Sequence, residues 1–367
     1  MNRTIRACLL FFFILCSCGK QVQTGRDTID LVKSISSTPD SPEKVLLSSL
    51  SRPSPAGDVY IIGSPQSCRI ISDSFLQCDM RENARGRNWR DGLKDFAGET
   101  FDCICDSSYT PYADYVSRCG EDAVRELAVR LSLSALSSNC SVSIYDLDGN
   151  CEKTQAKMII LADPVMLEFG KFDVDTLFSL TSCGIPVVSP LELALDEVLG
   201  SDKKHFNVGL MCDSLYVGKG LYPALFDAKT NQFDIVGARC WESSVDASGK
   251  ALAQFLDAYV LAGGVEPLDA LIVDDWHLDL EDIYAELSAI RDFSREESMR
   301  YGKLLSQSFS VFSSSAATMR ACYDLLRDNN LFTHKIAQPA VRTFIVSPRQ
   351  DAEGIQYLVI PSENVQN

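Results

Sequence analysis

The feature that most constrains this chain is the alternation of short apolar runs with helix-periodic segments from Asp58 onward. Residues 59–63 and 101–105 are continuous β-rich runs, and residues 121–136 then carry apolar side chains on one helical face. Continuous apolar strands that alternate with helices are typical of parallel sheets covered by helices on both faces. The 367 residues suffice for two such units. The sequence therefore predicts an α/β fold of two doubly wound parallel-sheet lobes.

The order of the remaining segments divides the chain. Further strands are predicted at residues 141–145, 157–162, 185–189, 206–212, 234–238, 268–273, 309–312, 341–346 and 357–360. We therefore place the first lobe at residues 58–190 and the second at 191–347, followed by a C-terminal strand and tail at 348–367. Residues 68–98 fit neither pattern, and we interpret them as a long loop that could cover a cleft.

The first residues are typical of an export signal. Arg3 and Arg6 precede an apolar run over residues 7–16, which is too short to span a bilayer as a helix. The run ends in Leu15-Cys16-Ser17-Cys18, which resembles the lipobox of bacterial lipoproteins. That resemblance implies cleavage after residue 17 and acyl chains on Cys18, and the alternative is an ordinary cleaved secretory signal. Residues 18–57, rich in Ser, Thr and Pro, are interpreted as the lipidated cysteine and a flexible tether, in which residues such as 28–34 could form short helical turns.

The charge of the chain limits its partners. The formal net charge is −16, and loss of the leader with Arg3 and Arg6 would make it two units more negative. Such an acidic surface repels the phosphates of nucleic acid, so no nucleic-acid partner is predicted. Attachment to a membrane would then depend on lipid and not on surface charge. The predicted location is the cell envelope, facing the periplasm or the cell surface.

The cysteines predict packing, not a disulfide framework. Of the 14 cysteines three belong to the leader region, which leaves an odd number in the folded part and at least one without an intrachain partner. Free cysteine packs as a small apolar residue, and several replace aliphatic residues in apolar runs. We expect buried thiols at Cys103, Cys105, Cys212, Cys240 and Cys322. With no CxxC pair and only three histidines, neither a metal nor a cofactor is predicted.

Polar residues follow the predicted strands at their carboxyl ends, where ligands bind in open parallel sheets. Any one of them could instead cap the following helix. A tryptophan at such a cleft can stack on a sugar or base, or pack partly buried in the core. The candidate ligand-binding residues are Ser64, Gln66, Asp106, Ser107, Asp163, Ser189, Asp213, Trp241, Asp274, Asp275 and Trp276.

The order of elements resembles the type 1 periplasmic binding proteins. Residues 157–163 and 184–190 are similar to the end of that family's first lobe, and residues 207–213 and 267–274 to strands of its second lobe. The resemblance implies two α/β lobes with a small ligand between them. We therefore expect a membrane-anchored solute-binding lipoprotein, working with a transporter or sensor, and not an enzyme. The chemical class of its small-molecule ligand cannot be read from these residues.

Two other functions remain open at this point. Residues 141–149 resemble the first motif of haloacid dehalogenase phosphatases, which implies a Mg²⁺-dependent nucleophile at Asp146 and a proton-transfer group at Asp148. Ser189 and the pair Asp274-Asp275 would supply the later motifs, but Asn150 stands where that family has threonine. The same Asp-Gly sequence also favours a hairpin turn. The third alternative is a structural surface lipoprotein without a small ligand.

Overall fold

Two parallel β-sheets, one in each lobe, organise the chain. The structure is a computed structural model that describes residues 26–83, 86–140, 147, 151–200, 207–246, 249–351 and 354–361. The first sheet has the strand order β12-β11-β2-β1-β5-β6. Its strands are β1 (Asp58–Gly63), β2 (Thr100–Asp106), β5 (Ala156–Leu161), β6 (Val187–Val188), β11 (Ala340–Asp351) and β12 (Gly354–Pro361). All neighbours in it are parallel except β12, which is antiparallel to β11.

The second sheet is parallel throughout and has the order β10-β9-β7-β8. Its strands are β7 (Asn207–Met211), β8 (Arg239–Ser243), β9 (Leu268–Val273) and β10 (Leu305–Ser313). A small antiparallel pair, β3 (Asn139–Cys140) and β4 (Cys151–Glu152), adjoins the first lobe. The prediction of an α/β fold with two parallel-sheet lobes is confirmed.

Helices connect the strands and cover both sheets. They are α1 (Asp30–Ser37), α2 (Pro42–Ser49), α3 (Pro65–Gln77), α4 (Tyr112–Cys119), α5 (Glu121–Leu136), a π-helical turn (Met166–Gly170), α6 (Lys171–Thr181), α7 (Pro190–Leu199), α8 (Leu221–Gln232), α9 (Ala251–Leu261), α10 (Leu280–Arg291), α11 (Glu296–Tyr301), a 3₁₀ turn (Gly302–Leu304) and α12 (Ser314–Asp328). No helix in the described ranges is both long and apolar enough to cross a bilayer.

Strand β1 shows why the strands of this chain are apolar without interruption. Successive side chains of a strand point to opposite faces of the sheet. Tyr60 and Ile62 lie in the core shared with α5, whereas Val59 and Ile61 lie in the core shared with α3 and α12. All six residues of β1 are buried. Because both faces are covered, neither face can carry the polar half of an alternating pattern.

The C-terminal strands belong to the first sheet, which differs from the predicted lobe boundary at residue 347. Strand β11 pairs in parallel with β2. The Arg342 guanidinium donates two hydrogen bonds of 2.7 Å to the Asp102 carboxylate and one of 2.5 Å to Asp58. Asp102 is fully buried in β2, so its charge needs such a partner. This ion-pair network stabilises the packing of strand β11 against β1 and β2 of the first lobe.

The tether predicted for residues 18–57 is not what the structure shows for residues 26–57. Helices α1 and α2 pack on the first lobe, and Val32, Ile35 and Leu47 are buried in its core. The backbone N–H of Ile29 donates to Asp173 Oδ1 at 3.0 Å. The apolar positions of two short helices are too few to produce a clear periodic signal among many serines, so the composition was misleading.

This packing predicts a large effect of a substitution in α2. Replacing Leu47 by alanine should cost about 2–5 kcal/mol, because it leaves a cavity in a filled core. Val45 lies in the same helix but is 57% exposed, so Val45→Ala should change stability by about 0.5 kcal/mol or less. The free energies of unfolding from chemical denaturation measure both. If Leu47→Ala and Val45→Ala both had negligible effects on the free energy of unfolding, residues 26–57 would be better described as a flexible tether.

Two smaller expectations also differ from the structure. Residues 68–98 are not one long loop, since they contain most of α3 and then a segment that lies against α12, where Arg81 forms a 2.7 Å ion pair with Asp324. The strand predicted at 234–238 is displaced to β8, because residues 233–238 form the turn that follows α8.

The cysteines of the described ranges are free thiols. Cys103, Cys105, Cys212 and Cys322 are buried, as expected, and Cys240 is half-buried. Burial raises the pKa of the Cys322 thiol to about 12, as its apolar surroundings dictate.

Candidate active site

A cavity of about 360 Å³ lies between the two lobes. Most of its lining residues follow β1 and β5 in the first sheet and β7 and β9 in the second, and Thr110 and Pro111 come from the loop after β2. In each sheet the chain leaves these two neighbouring strands in opposite directions, which is the topological switch point of an open parallel sheet. The segments that connect the strands to the next elements diverge at this point and leave a crevice. The cavity therefore lies where the carboxyl-end edges of both sheets, the usual ligand-binding edges of open parallel sheets, face each other.

Most of the site residues predicted from the sequence meet in this cavity. Those that line it are Ser64, Gln66, Asp163, Asp213, Asp274, Asp275 and Trp276. They come from four separate strand ends, and only the approach of the two lobes brings them together. The rule that ligands bind beyond the carboxyl ends of parallel strands therefore selected residues that share one cavity, and their role in binding stays a prediction.

Four predicted residues lie elsewhere. Asp106 is buried and its Oδ1 accepts the backbone N–H groups of Ser108 and Tyr109, so it shapes the loop after β2. Ser107 donates to the Val346 carbonyl, and Ser189 is buried at the start of α7. Trp241 lies within β8, where its indole N–H donates to Asn207 Oδ1 at 2.7 Å and its ring packs edge-on against Tyr259. These four side chains serve local structure.

Asp163 is the buried carboxylate on the first-lobe side of the cavity. Its Oδ1 accepts the backbone N–H of Val165 at 2.8 Å, and its Oδ2 accepts the Tyr216 hydroxyl at 2.5 Å. Burial raises the pKa of Asp163 to about 6, although these hydrogen bonds lower it. The side chain is therefore near its titration point at neutral pH.

Asp274 is its counterpart from the second lobe. It follows β9 directly, its backbone N–H donates to the Met211 carbonyl, and its Oδ2 accepts the Tyr222 hydroxyl at 3.2 Å. Desolvation raises the pKa of Asp274 to about 7, and hydrogen bonds from Ser314 and Tyr222 oppose this rise. The charge on Asp163 contributes to the rise as well. The two carboxylates therefore influence each other across the cleft.

Two tyrosines connect these carboxylates, and the sequence interpretation missed both. Tyr216 and Tyr222 belong to the second lobe, are buried, and pack edge-on with ring centroids 6.3 Å apart. Tyr216 reaches across the interface to Asp163, whereas Tyr222 stays with Asp274 of its own lobe. Tyr222 lies in α8, a helix whose weakly periodic sequence gave no signal.

The mouth of the cavity carries a second contact between the lobes. Gln66 Nε2 and His277 Nε2 lie 2.7 Å apart, and both side chains are exposed. Gln66 stands in the first turn of α3, and His277 follows the Asp274-Asp275-Trp276 segment. The lobes therefore meet at the mouth through this pair and at the base through Tyr216 and Asp163.

The raised pKa of Asp274 predicts how stability depends on pH. An acid whose pKa is higher in the folded state destabilises that state when it ionises. The loss in the free energy of unfolding is therefore negligible near pH 4 and reaches its full value above about pH 7. Asp274→Asn should therefore raise the melting temperature at pH 8 and change it little at pH 4. Asp282, exposed on α10, provides the control, since Asp282→Asn should show no such dependence. Equal shifts at both pH values would contradict this environment for Asp274.

No cluster of three or more His, Cys, Asp or Glu side chains within the described ranges is arranged to hold a metal ion. Asp146 and Asp148, the acids of the phosphatase alternative, lie outside the described residues.

Comparison with known proteins gives fold likeness only. No family model matches the chain, and no curated protein matches it by sequence. Among solved structures, glutamate racemase isoform RacE1 from Bacillus anthracis is similar over 79% of this chain and 89% of its own, with 12% identity and a TM-score of 0.46. Maleate isomerase from Pseudomonas putida S16 is similar over 74% and 92%, with 12% identity and a TM-score of 0.39. Arylmalonate decarboxylase is similar over 76% and 100%, with 14% identity and a TM-score of 0.31.

The prediction of a solute-binding protein without enzymatic activity is corrected by these comparisons. The three solved structures are a racemase, an isomerase and a decarboxylase, and none is a solute-binding protein. None of the three is a phosphatase of the haloacid dehalogenase type either. The phosphatase also conflicts with the fold, since Ser189 follows the first sheet and Asp274 the second. Element order misled the prediction because one α/β architecture serves both binding and catalysis.

Proposed function

We propose that this protein is an enzyme that moves protons on a small substrate held between its lobes. The observation that carries the proposal is the pair Asp163 and Asp274, two carboxyl groups from different lobes that border one cavity. Burial raises their pKa values to about 6 and about 7, which brings both close to neutrality. Catalytic acids and bases work best when the pKa lies near the working pH, and such perturbed groups cluster at active sites.

The two groups have complementary roles at neutral pH. We assign Asp163, whose pKa burial raises to about 6, the role of the base, and Asp274, whose pKa desolvation raises to about 7, the role of the acid. Since the two groups interact, their titration belongs to the pair as a whole. The Tyr216 hydroxyl holds Asp163 Oδ2, and the Tyr222 hydroxyl holds Asp274 Oδ2, so each tyrosine is a positioning residue.

An acid and a base on opposite lobes are sufficient for one class of reaction without a further group. The base removes a proton from a carbon of the substrate, and the acid returns a proton at another position or on the opposite face. Atoms balance without an oxidant or a co-reactant, because one proton leaves and one enters. We therefore favour an epimerisation or isomerisation over hydrolysis.

Exchange with solvent deuterium tests this proposal. The protein is incubated in D₂O near neutral pH with small molecules that carry a C–H group next to a carbonyl, and ¹H NMR follows each C–H signal. Wild-type protein should replace one such hydrogen by deuterium in the converted compound. A compound that is converted with no solvent deuterium at any carbon would contradict proton transfer as the reaction.

The lipid anchor at Cys18 lies outside the described residues and stays a prediction. Mass spectrometry of the mature N-terminus should find an acylated Cys18, and Cys18→Ala should leave a protein that no longer sediments with membranes. An unacylated N-terminal residue other than Cys18 would exclude the anchor. The proposed reaction does not depend on this result.

A further inference from the structure

Two cysteines face each other across the small antiparallel pair of β3 and β4. Cys140 ends β3 and Cys151 begins β4, and the register of the pair places these two residues directly opposite each other. Directly opposite residues of an antiparallel pair project their side chains from the same face. Cys140 is buried in the core of the first lobe, and Cys151 packs against that core from a half-buried position. The two thiols are therefore neighbours.

The hydrogen-bond pattern of the pair sets the distance between the two residues. The backbone N–H of Lys153 donates to the Ser138 carbonyl at 2.8 Å. Hydrogen-bonded and non-hydrogen-bonded positions alternate along an antiparallel pair, so Cys140 and Cys151, two residues further along, again occupy a hydrogen-bonded position. Cα atoms at such a position lie about 5.5 Å apart. Disulfide bonds most often join Cα atoms that are about 5.5–6 Å apart, so the backbone is already spaced for one.

We propose that Cys140 and Cys151 are a redox-reactive pair, which a small disulfide oxidant such as oxidised glutathione converts into an intramolecular disulfide bond. Both are free thiols in the structure, which corresponds to the reduced form of the pair. On oxidation two S–H bonds break and one S–S bond forms, and the oxidant takes up the two electrons and two protons and leaves as two thiols. Neither cysteine lines the interlobe cavity, so the inference does not depend on the proposed reaction.

The surroundings of the two thiols assign them different steps. Cys151 is half-buried, so its thiolate attacks the oxidant first and forms a mixed disulfide with one glutathione. Cys140 then attacks Cys151 Sγ, and the bound glutathione leaves as a thiol. Burial raises the pKa of Cys140 to about 12, a charge on Cys151 adds to that rise, and the Lys153 ammonium opposes it. The mixed disulfide removes the charge on Cys151, which favours the second step.

Peptide mapping of the folded full chain tests the proposal. The reduced protein is incubated with oxidised glutathione, the remaining thiols are blocked with N-ethylmaleimide in denaturant, and the masses of the tryptic peptides are measured. The tryptic peptide 131–153 contains Cys140 and Cys151 and no other cysteine. We expect this peptide to be lighter than its reduced form by two hydrogen atoms and to carry neither glutathione nor maleimide. After reduction of the denatured protein it should take up two maleimides.

Two other tryptic peptides are internal controls. Cys119 is exposed and is the one cysteine of peptide 119–125, so it should retain glutathione as a mixed disulfide and show that the oxidant is active. Peptide 95–118 also holds two cysteines, Cys103 and Cys105, but these are buried and lie about 6.6 Å apart along one strand, near the upper limit for a disulfide. They should both take up maleimide.

The variant Cys151→Ser separates the two steps. It removes the half-buried thiol that attacks the oxidant, so Cys140 should stay reduced and take up one maleimide after denaturation. Two maleimides on wild-type peptide 131–153 under conditions that modify Cys119 would overturn the proposal. So would glutathione that stays on Cys151, or an equal loss of two hydrogen atoms from peptide 95–118, because the facing positions in β3 and β4 would then not select the bond.

Discussion

Replacing Asp163 by asparagine should lower the rate of deuterium incorporation by roughly 10²–10⁴-fold, the usual contribution of a positioned general base. Asparagine keeps the size of the side chain and can still accept the Tyr216 hydroxyl through its amide oxygen. It cannot take a proton from the substrate. Because Asp163 is buried and close to its titration point, the substitution removes the base without creating an unpaired charge.

The measurement is the rate of C–H to C–D exchange in D₂O at saturating substrate, compared between wild type, Asp163→Asn and Asp282→Asn. The last variant carries the same chemical change at an exposed site of α10 and should keep the wild-type rate. Circular dichroism and melting curves check that the Asp163 variant is folded. A folded Asp163→Asn protein with an undiminished rate would remove Asp163 from the reaction.

Tyr216→Phe tests the role of the Tyr216 hydroxyl through the pH–rate profile, whose position a loss of packing alone would not change. The Tyr216 hydroxyl lowers the pKa of Asp163, so its removal should raise that pKa further. The base must be ionised to act, and the acid limb of the pH–rate profile should therefore move to higher pH. A lower rate with an unmoved limb would assign Tyr216 a purely structural role.

The second large effect is expected at a buried ion pair of the first lobe. Lys157 Nζ lies 2.6 Å from Glu99 Oε2, and the two side chains are 0% and 1% exposed. Lys157 also donates to the Leu331 carbonyl, and Glu99 Oε1 accepts the Thr333 N–H. These contacts hold the segment after α12 to β5 and to the start of β2. Lys157→Met should cost about 3–5 kcal/mol, because it leaves the buried Glu99 carboxylate without a positive charge beside it.

The double variant Lys157→Met/Glu99→Gln should recover part of that loss, since the uncompensated charge is gone. Lys33 on α1 is the surface counterpart, 3.3 Å from Asp30 with both side chains exposed, and Lys33→Met should cost about 0.5 kcal/mol or less. Denaturant unfolding measures all three. If Lys157→Met were as harmless as Lys33→Met, the pair would not lie in a buried environment.

The amino-acid sequence by itself determined the fold class and the edge of each sheet at which the site lies. Strands that are covered on both faces must be apolar throughout, so the apolar runs at residues 59–63 and 268–273 predict strands. Polar residues such as Asp163 and Asp274, which follow apolar runs, then predict where strands end. This pattern depends only on the burial of each strand and not on how the rest of the chain folds. Helix α2 left little pattern, because Leu47 is its one buried residue, whereas α8 buries five residues in a sequence of weak helical periodicity.

Only the tertiary structure decided which strand ends face one another and what they can do. The contact of Tyr216 with Asp163 joins residues of different lobes, and no spacing in the sequence indicates it. The raised pKa values of Asp163 and Asp274 come from burial between the lobes, which is a property of their three-dimensional surroundings. An aspartate that follows a strand can serve simply as a helix cap while it is exposed to water. When a second lobe packs over it, desolvation raises its pKa, and it becomes a candidate acid or base.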